Sequence, residues 1–184
     1  MTLFDATRDQ HHACEQHPLG QRMASGNITR AEWAGWLMAF RVLHQVIDPA
    51  LPAHMHRDGL LAADLSVLPP VPPSRAALRF ALDLCSLDAG TGKSGTDTTG
   101  AAYVLHGAHR SGGRVLAPTL VKRGLPCAHI TYRDPEAVQA WVKHTRSRVD
   151  LALQARATFV CLLAVMDEIT ACTANPSEPG KPQS

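Results

Sequence analysis

The sequence lacks the features that mark several protein classes. It has no run of lysine and arginine and a formal net charge of only +2, so nothing indicates nucleic-acid binding. No apolar run approaches the ~18 residues of a membrane span, and the amino-terminal segment lacks the apolar core of a secretory signal. The five cysteines form no C-x-x-C pair, which favours free thiols in a reducing cytoplasm.

Strand-like alternation and internal repeats are also missing, whereas apolar residues recur at helical spacing along most of the chain. The pattern predicts an all-α fold of six or seven helices in one domain over residues 1–174, with a disordered tail at 175–184. The predicted helices cover 3–17 with a continuation over 19–24, the stretch from a Thr29–Glu32 capping box to Pro49, residues 58–68, 74–87 and 100–121, a helix that starts at Asp134, and residues 149–172.

A loop is predicted over residues 88–99, and it contains Gly92-Lys93-Ser94. A phosphate-binding loop would need a further glycine five positions earlier and a preceding strand. Position 87 is leucine, and a predicted helix rather than a strand precedes the loop, so the sequence does not predict a nucleotide site here.

Three glycines, Gly107, Gly112 and Gly113, lie within seven residues of the predicted 100–121 helix. Each costs on the order of 1 kcal/mol relative to alanine in a helix interior. One interpretation is a helix end followed by a turn. Another is that glycine allows backbone to approach a flat ligand closely, or allows the helix to kink around it.

Two pairs of side chains at i, i+4 are candidates for metal chemistry: His11 with Glu15, and His44 with Asp48. They could form a dinuclear metal site, one histidine could be the axial ligand of a haem iron, or the pairs could be ordinary hydrogen bonds on a helix face. Cys14 is a candidate nucleophile, although no activating base can be named for it.

Several motifs resemble the haem oxygenase superfamily, especially its bacterial members. Residues 6–15, A-T-R-D-Q-H-H-A-C-E, resemble the helix that carries the proximal haem ligand, and residues 25–33 resemble the entry to the second helix. Residues 57–65 are similar to a bacterial leucine-rich segment. Tyr103 and S-G-G-R-V-L at 111–116 resemble the kinked distal helix. W-V-K-H-T-R-S-R at 141–148 and F-V-C-L-L-A-V-M-D-E at 159–168 are similar to the propionate-binding and carboxy-terminal core segments.

The resemblance implies a haem oxygenase-like helical bundle that cleaves haem with dioxygen to biliverdin, carbon monoxide and ferrous iron. Haem is then both substrate and cofactor, a reductase or ferredoxin supplies electrons, and a bilin-binding photoreceptor is a candidate acceptor of the product. The implied iron ligand is His11, with His12 as the neighbouring alternative. The implied distal wall includes Gly112 and Gly113.

The resemblance also implies contacts along the rest of the haem site. Arg146 is the first candidate for the propionates, followed by Lys143 and Arg8. The remaining implied haem-binding residues are Glu15, Tyr103, Ser111 and Phe159.

One departure from the family pattern concerns His109, which falls where better-known members have an aspartate. A histidine there could support the delivery of protons, or it could ligate the iron from the second side and make the protein a haem carrier or sensor without turnover. The other alternative is a non-haem dinuclear metal oxidase that uses His11, Glu15, His44 and Asp48.

Overall fold

The protein, described here at residues 1–89 and 97–174 of a computed structural model, is built from helices joined by short turns. No β-strand occurs in these two ranges, which confirms the predicted all-α class. The predicted loop at 88–99 lies largely outside the described residues, as does the tail from 175. The helices are α1 Leu3–Gln16, α2 Pro18–Ser25, α3 Arg30–Ile47, α4 Asp58–Leu65, α5 Arg75–Ala89, α6 Thr99–Gly107, α7 Gly113–Lys122, α8 Pro135–Thr145 and α9 Ala152–Ala174.

Helix ends follow signals that are visible in the sequence. Thr29 and Glu32 form the predicted capping box of α3, in which each side chain binds the other's backbone N–H. The Asp134 carboxylate accepts from the N–H of Ala137 at the start of α8. Several helix ends differ from prediction by one to three residues; for example, α2 already begins at Pro18 and α4 stops at Leu65.

The long helix α9 lies at the centre of the bundle. It packs against α1, α3, α5 and α6, and its buried residues belong to the main hydrophobic core. The helical stretch Val149–Thr173 is long and apolar enough to cross a membrane by length and composition alone, although charged residues interrupt its apolar runs. Its central packing accounts for the apolar composition.

The glycine-rich stretch does not end its helix. After α6 the chain forms one turn of π-helix, the π-turn, over Ala108–Gly112 and continues directly into α7. A π-turn is a common cause of a kink in a helix and often occurs at functional sites. The interpretation as a helix end is therefore wrong, because the helix continues through the glycines with a local π-helical segment.

Candidate functional site

The π-turn carries glycines on two different surfaces. A Cβ added at Gly107 or at Gly112 would meet no atom within 4 Å, so both positions border open space. A Cβ at Gly113 would lie 2.7 Å from Cγ2 of Ile130. Gly113 is thus buried against its own protein, whereas the other two leave room beside the backbone.

Between these glycines, His109 lies inside the protein, where it is 2 % exposed. Its Nε2 atom lies 2.8 Å from Nε2 of His44 on α3, and Nδ1 of His44 lies 2.8 Å from Oδ1 of Asp48. The other oxygen of Asp48 accepts the backbone N–H groups of Arg57 and Asp58. The result is a buried chain of hydrogen bonds from the π-turn to a carboxylate.

The protonation states in this chain follow from the carboxylate. Burial acts to raise the pKa of Asp48, but the hydrogen bonds from His44 and from the two backbone N–H groups outweigh it, and the pKa lies below its usual value. An ionised Asp48 only accepts, so Nδ1 of His44 carries a proton. Nε2 of His44 then accepts from Nε2–H of His109, because burial lowers the pKa of both histidines and keeps them neutral.

A third buried histidine, His106, lies one helical turn before His109. Its Nδ1 atom is 2.7 Å from the hydroxyl oxygen of Tyr132, and its Nε2 atom is buried without a hydrogen-bond partner among the described residues. Burial and the neighbouring His44 lower the pKa of His106 to about 2. The guanidinium of Arg57 lies 4.2 Å from the Tyr132 ring centre.

The short turn at 128–130 closes the other side of His109. Here His129 packs edge-on against His109, with ring centres 5.2 Å apart, and donates from Nδ1 to Asp64 at 2.6 Å. Asp64 also accepts the backbone N–H groups of Ala128 and His129. Arg57 fastens the same turn, since it donates to backbone carbonyls at residues 54–56, 129 and 131.

The proposed proximal ligand, His11, has a different environment. Its side chain is 48 % exposed, and its ring lies edge-on to Phe159 at 5.8 Å between centres. Nδ1 of His11 lies 3.6 Å from Oε1 of Glu15, which leaves Nε2 free to ligate. His12 is more exposed, at 68 %, and its Nδ1 lies 3.8 Å from the other oxygen of Glu15.

The basic and polar candidates lie on the outer surface. The Arg146 guanidinium stacks 4.7 Å from the ring centre of Phe4, and its backbone carbonyl accepts from Leu3 at the start of α1. Tyr103 is half-buried, and burial raises its pKa although the charge of Arg146 opposes this effect. Ser111 and Lys143 are exposed. Arg8 pairs with Asp5 at 2.9 Å.

Two alternative chemistries receive little support from the geometry. In the described part of the chain, the only group of three or more side chains that could hold a metal is His44, Asp48 and His106, so His11 and Glu15 do not complete a dinuclear site with His44 and Asp48. Burial and the nearby Glu15 raise the pKa of Cys14 to about 12, which keeps this thiol protonated and a poor nucleophile.

The sequence paired His44 with Asp48 and identified His109 separately, but it did not connect His109 to that pair. It missed five residues that complete the buried cluster: Arg57, Asp64, His106, His129 and Tyr132. For His106 a signal existed, because three-residue spacing from His109 puts both on one helix face. The high count of ten histidines was the only general sign of the others.

Comparisons with known proteins give their result at the level of the fold. No family model matches the sequence, and no curated protein matches it. The structure is similar to the haem oxygenase of Leptospira interrogans, with a TM-score of 0.72 and 15 % identity over 90 % of this chain and 97 % of that one. It is also similar to haem oxygenase-1 of the cyanobacterium Synechocystis in complex with haem, with a TM-score of 0.70 and 12 % identity over 94 % and 91 % of the two chains. The chain therefore shares the all-α fold of these two haem oxygenases.

Proposed function

We propose that this protein is a cytoplasmic haem oxygenase that cleaves haem to biliverdin, carbon monoxide and ferrous iron, with electrons from a reductase or ferredoxin. The observation that carries the proposal is the buried hydrogen-bond chain His109–His44–Asp48, which starts on a π-turn flanked by open space at Gly107 and Gly112. A bilin-binding photoreceptor is a candidate acceptor of the product.

Two groups of residues would suit haem. On α1, Nε2 of His11 would be available to bind the iron while Glu15 lies near Nδ1, the arrangement in which a carboxylate orients a ligating histidine. At the π-turn, the missing side chains at Gly107 and Gly112 leave space for a flat ring to approach the backbone. Phe159 supplies an aromatic edge beside His11.

Haem, when bound, supplies the iron that activates dioxygen and the porphyrin ring that is cut. The chain's own contribution is to hold protons close to the π-turn. His109 and His44 are neutral, so each can take up one proton and release another, and Asp48 favours a positive charge on His44. The hydrogen bond of His109 to His44 supports a role in proton delivery, and the burial of its ring argues against His109 as a second iron ligand.

Cations at and near the end of α8 would pair with the haem propionates. The guanidinium of Arg146 stacks over the Phe4 ring and would bind a carboxylate. Lys143 and Ser111 are exposed and free to add further polar contacts. Gly113 supports the π-turn from behind, through its close contact with Ile130.

Hemin titration with absorption spectroscopy tests the haem proposal. We expect one saturable Soret band, lost or strongly shifted in His11→Ala and retained in the matched control His12→Ala. Addition of ascorbate in air should then produce biliverdin absorption. An equal band in parent and His11→Ala would contradict the assigned ligand, and a stable six-coordinate spectrum without biliverdin would favour a carrier or sensor.

A further inference from the structure

We propose that His44, Asp48 and His106 form a binding site for one divalent transition-metal ion that is separate from haem. One ligating atom from each of the three side chains lies within 4.8 Å of the others. All three are at most 5 % exposed. Two imidazoles with one carboxylate form a donor set that proteins use for zinc and for non-haem iron, with the remaining positions open to water or another ligand.

The unpartnered nitrogen of His106 is an independent observation that points to a ligand. His106 is completely buried, its Nδ1 is bonded to Tyr132, and its Nε2 has no partner in the part of the chain that the structure describes. A buried polar atom without a partner is unfavourable, and a metal ion would satisfy it.

The side chains are already held by partners outside the donor set. Oδ2 of Asp48 accepts two backbone N–H groups, which leaves Oδ1 facing His44 for the metal. The Tyr132 hydroxyl fixes the ring of His106. Hydrogen bonds of this kind orient ligands before the metal arrives and are typical of metal sites in proteins.

Two of the three ligands also line a pocket. His44 and Asp48 contribute to a cavity of about 340 Å³, whose lining also includes His56 and Asp58. His56 is exposed and Asp58 is partly exposed, so both can meet an ion in solvent. The pocket therefore offers a path by which a metal exchanges with solution.

Metal binding would reverse the hydrogen bond between His44 and His109. Coordination through Nδ1 of His44 displaces its proton, so the neutral imidazole must carry the proton on Nε2 and donate it to Nε2 of His109. His109 then carries its own proton on Nδ1, and no proton is lost overall. The metal would thereby disconnect His109 from Asp48 and inhibit haem turnover. This consequence rests on the proposed function, whereas the metal site itself does not.

Cobalt titration of the haem-free, chelator-treated protein tests the site without depending on haem. We expect visible ligand-field bands that saturate at one Co²⁺ per chain and disappear when Zn²⁺ is added. In His106→Gln the dissociation constant should rise at least about tenfold. In His144→Gln, which changes an exposed histidine on α8, it should stay the same.

A second variant keeps the test valid if His106→Gln is misfolded by circular dichroism. Tyr132→Phe retains all three ligands and removes only the hydrogen bond to Nδ1 of His106, so we expect roughly tenfold weaker binding. The proposal is overturned if the parent takes up no stoichiometric Co²⁺, or if the folded His106→Gln or Tyr132→Phe protein binds as tightly as the parent.

Discussion

Nε2 of His44 and Nε2 of His109 lie 2.8 Å apart, both shielded from solvent, and join α3 to the π-turn. Because Asp48 fixes the proton of His44 on Nδ1, His109 is the donor between the two rings. A single buried carboxylate thus determines which ring nitrogen carries the proton in both histidines. This arrangement resembles the way in which a carboxylate fixes the tautomer of a catalytic histidine in other enzymes.

We expect His109→Leu to bind hemin with little change and to form biliverdin at least about 100-fold more slowly, the usual scale for loss of a positioned acid–base group. Asp48→Asn should also slow turnover, because an amide can donate to His44 and favour its other tautomer. Hemin titration and single-turnover biliverdin formation separate binding from rate. Turnover of His109→Leu at the parental rate would contradict the proposed relay.

The two surfaces of the π-turn predict opposite effects of alanine. Gly107→Ala adds a methyl group to open space at helical φ, so the haem-free protein should gain roughly 0.5–1 kcal/mol of unfolding free energy. Its hemin affinity should fall, because the methyl group occupies the proposed cleft. Urea unfolding and hemin titration measure the two effects.

Gly113→Ala is the matched comparison. Its methyl group would overlap the Ile130 side chain, and we expect a loss of about 1–3 kcal/mol from overpacking. If Gly107→Ala leaves hemin affinity unchanged, the open space beside it is not the haem cleft. If Gly113→Ala is stabilising, Ile130 moves aside more easily than its packing indicates.

Local signals explain why most of the fold could be predicted from the sequence. Thr29 with Glu32, and Asp134 with Pro135, mark helix starts through side chains only a few residues apart. The apolar stripe of α3 follows directly from 3.6-residue periodicity. The glycines raised the possibility of a kink, but their spacing does not encode a π-turn or separate the open face at Gly107 from the buried face at Gly113.

The buried cluster could be predicted only in part, because its contacts join distant segments. His44 and Asp48 are neighbours on one helix, so their hydrogen bond is a local property. His106 bonds to Tyr132, which lies 26 residues later, and His109 bonds to His44, which lies 65 residues earlier. The turn that presents His129 is a short 3₁₀ segment without apolar periodicity, and so nothing in the local pattern placed it over His109.

The buried histidines predict a loss of stability in acid. Burial lowers the pKa of His44, His106 and His109 in the folded protein, whereas their unfolded value is about 6.5. Below pH ~6.5 the unfolded chain therefore binds more protons, and unfolding free energy falls by at most about 4 kcal/mol per pH unit for three such groups. Above pH ~6.5 their contribution is fully present.

Urea unfolding at pH 7.5 and pH 5.5 checks this pH dependence. The groups packed against each histidine ring also contribute to it. Asp48 faces His44, Tyr132 and Trp141 face His106, and His129 faces His109. His106→Gln should remove roughly one third of the pH dependence, whereas the exposed His12→Gln should leave it intact. Equal stability of the parent at both pH values would contradict neutral histidines in the folded core.

The carboxylate of Asp64 holds the turn at 128–130 against α4. Asp64 lies on α4 and accepts hydrogen bonds from Nδ1 of His129 and from two backbone N–H groups of the turn. These three bonds join α4 to a segment about 64 residues later in the chain. In Asp64→Asn one oxygen becomes an amide N–H₂ that faces donors, so we expect a loss of about 2–4 kcal/mol in unfolding free energy. The exposed Asp83→Asn on α5 is the control and should change it by less than about 0.5 kcal/mol.

Because His129 packs against His109, hydrogen exchange at the backbone of residues 128–130 should rise in Asp64→Asn even where the rest of the bundle stays protected. Parental stability of that variant would mean that water replaces the carboxylate and that the turn is held by Arg57 alone.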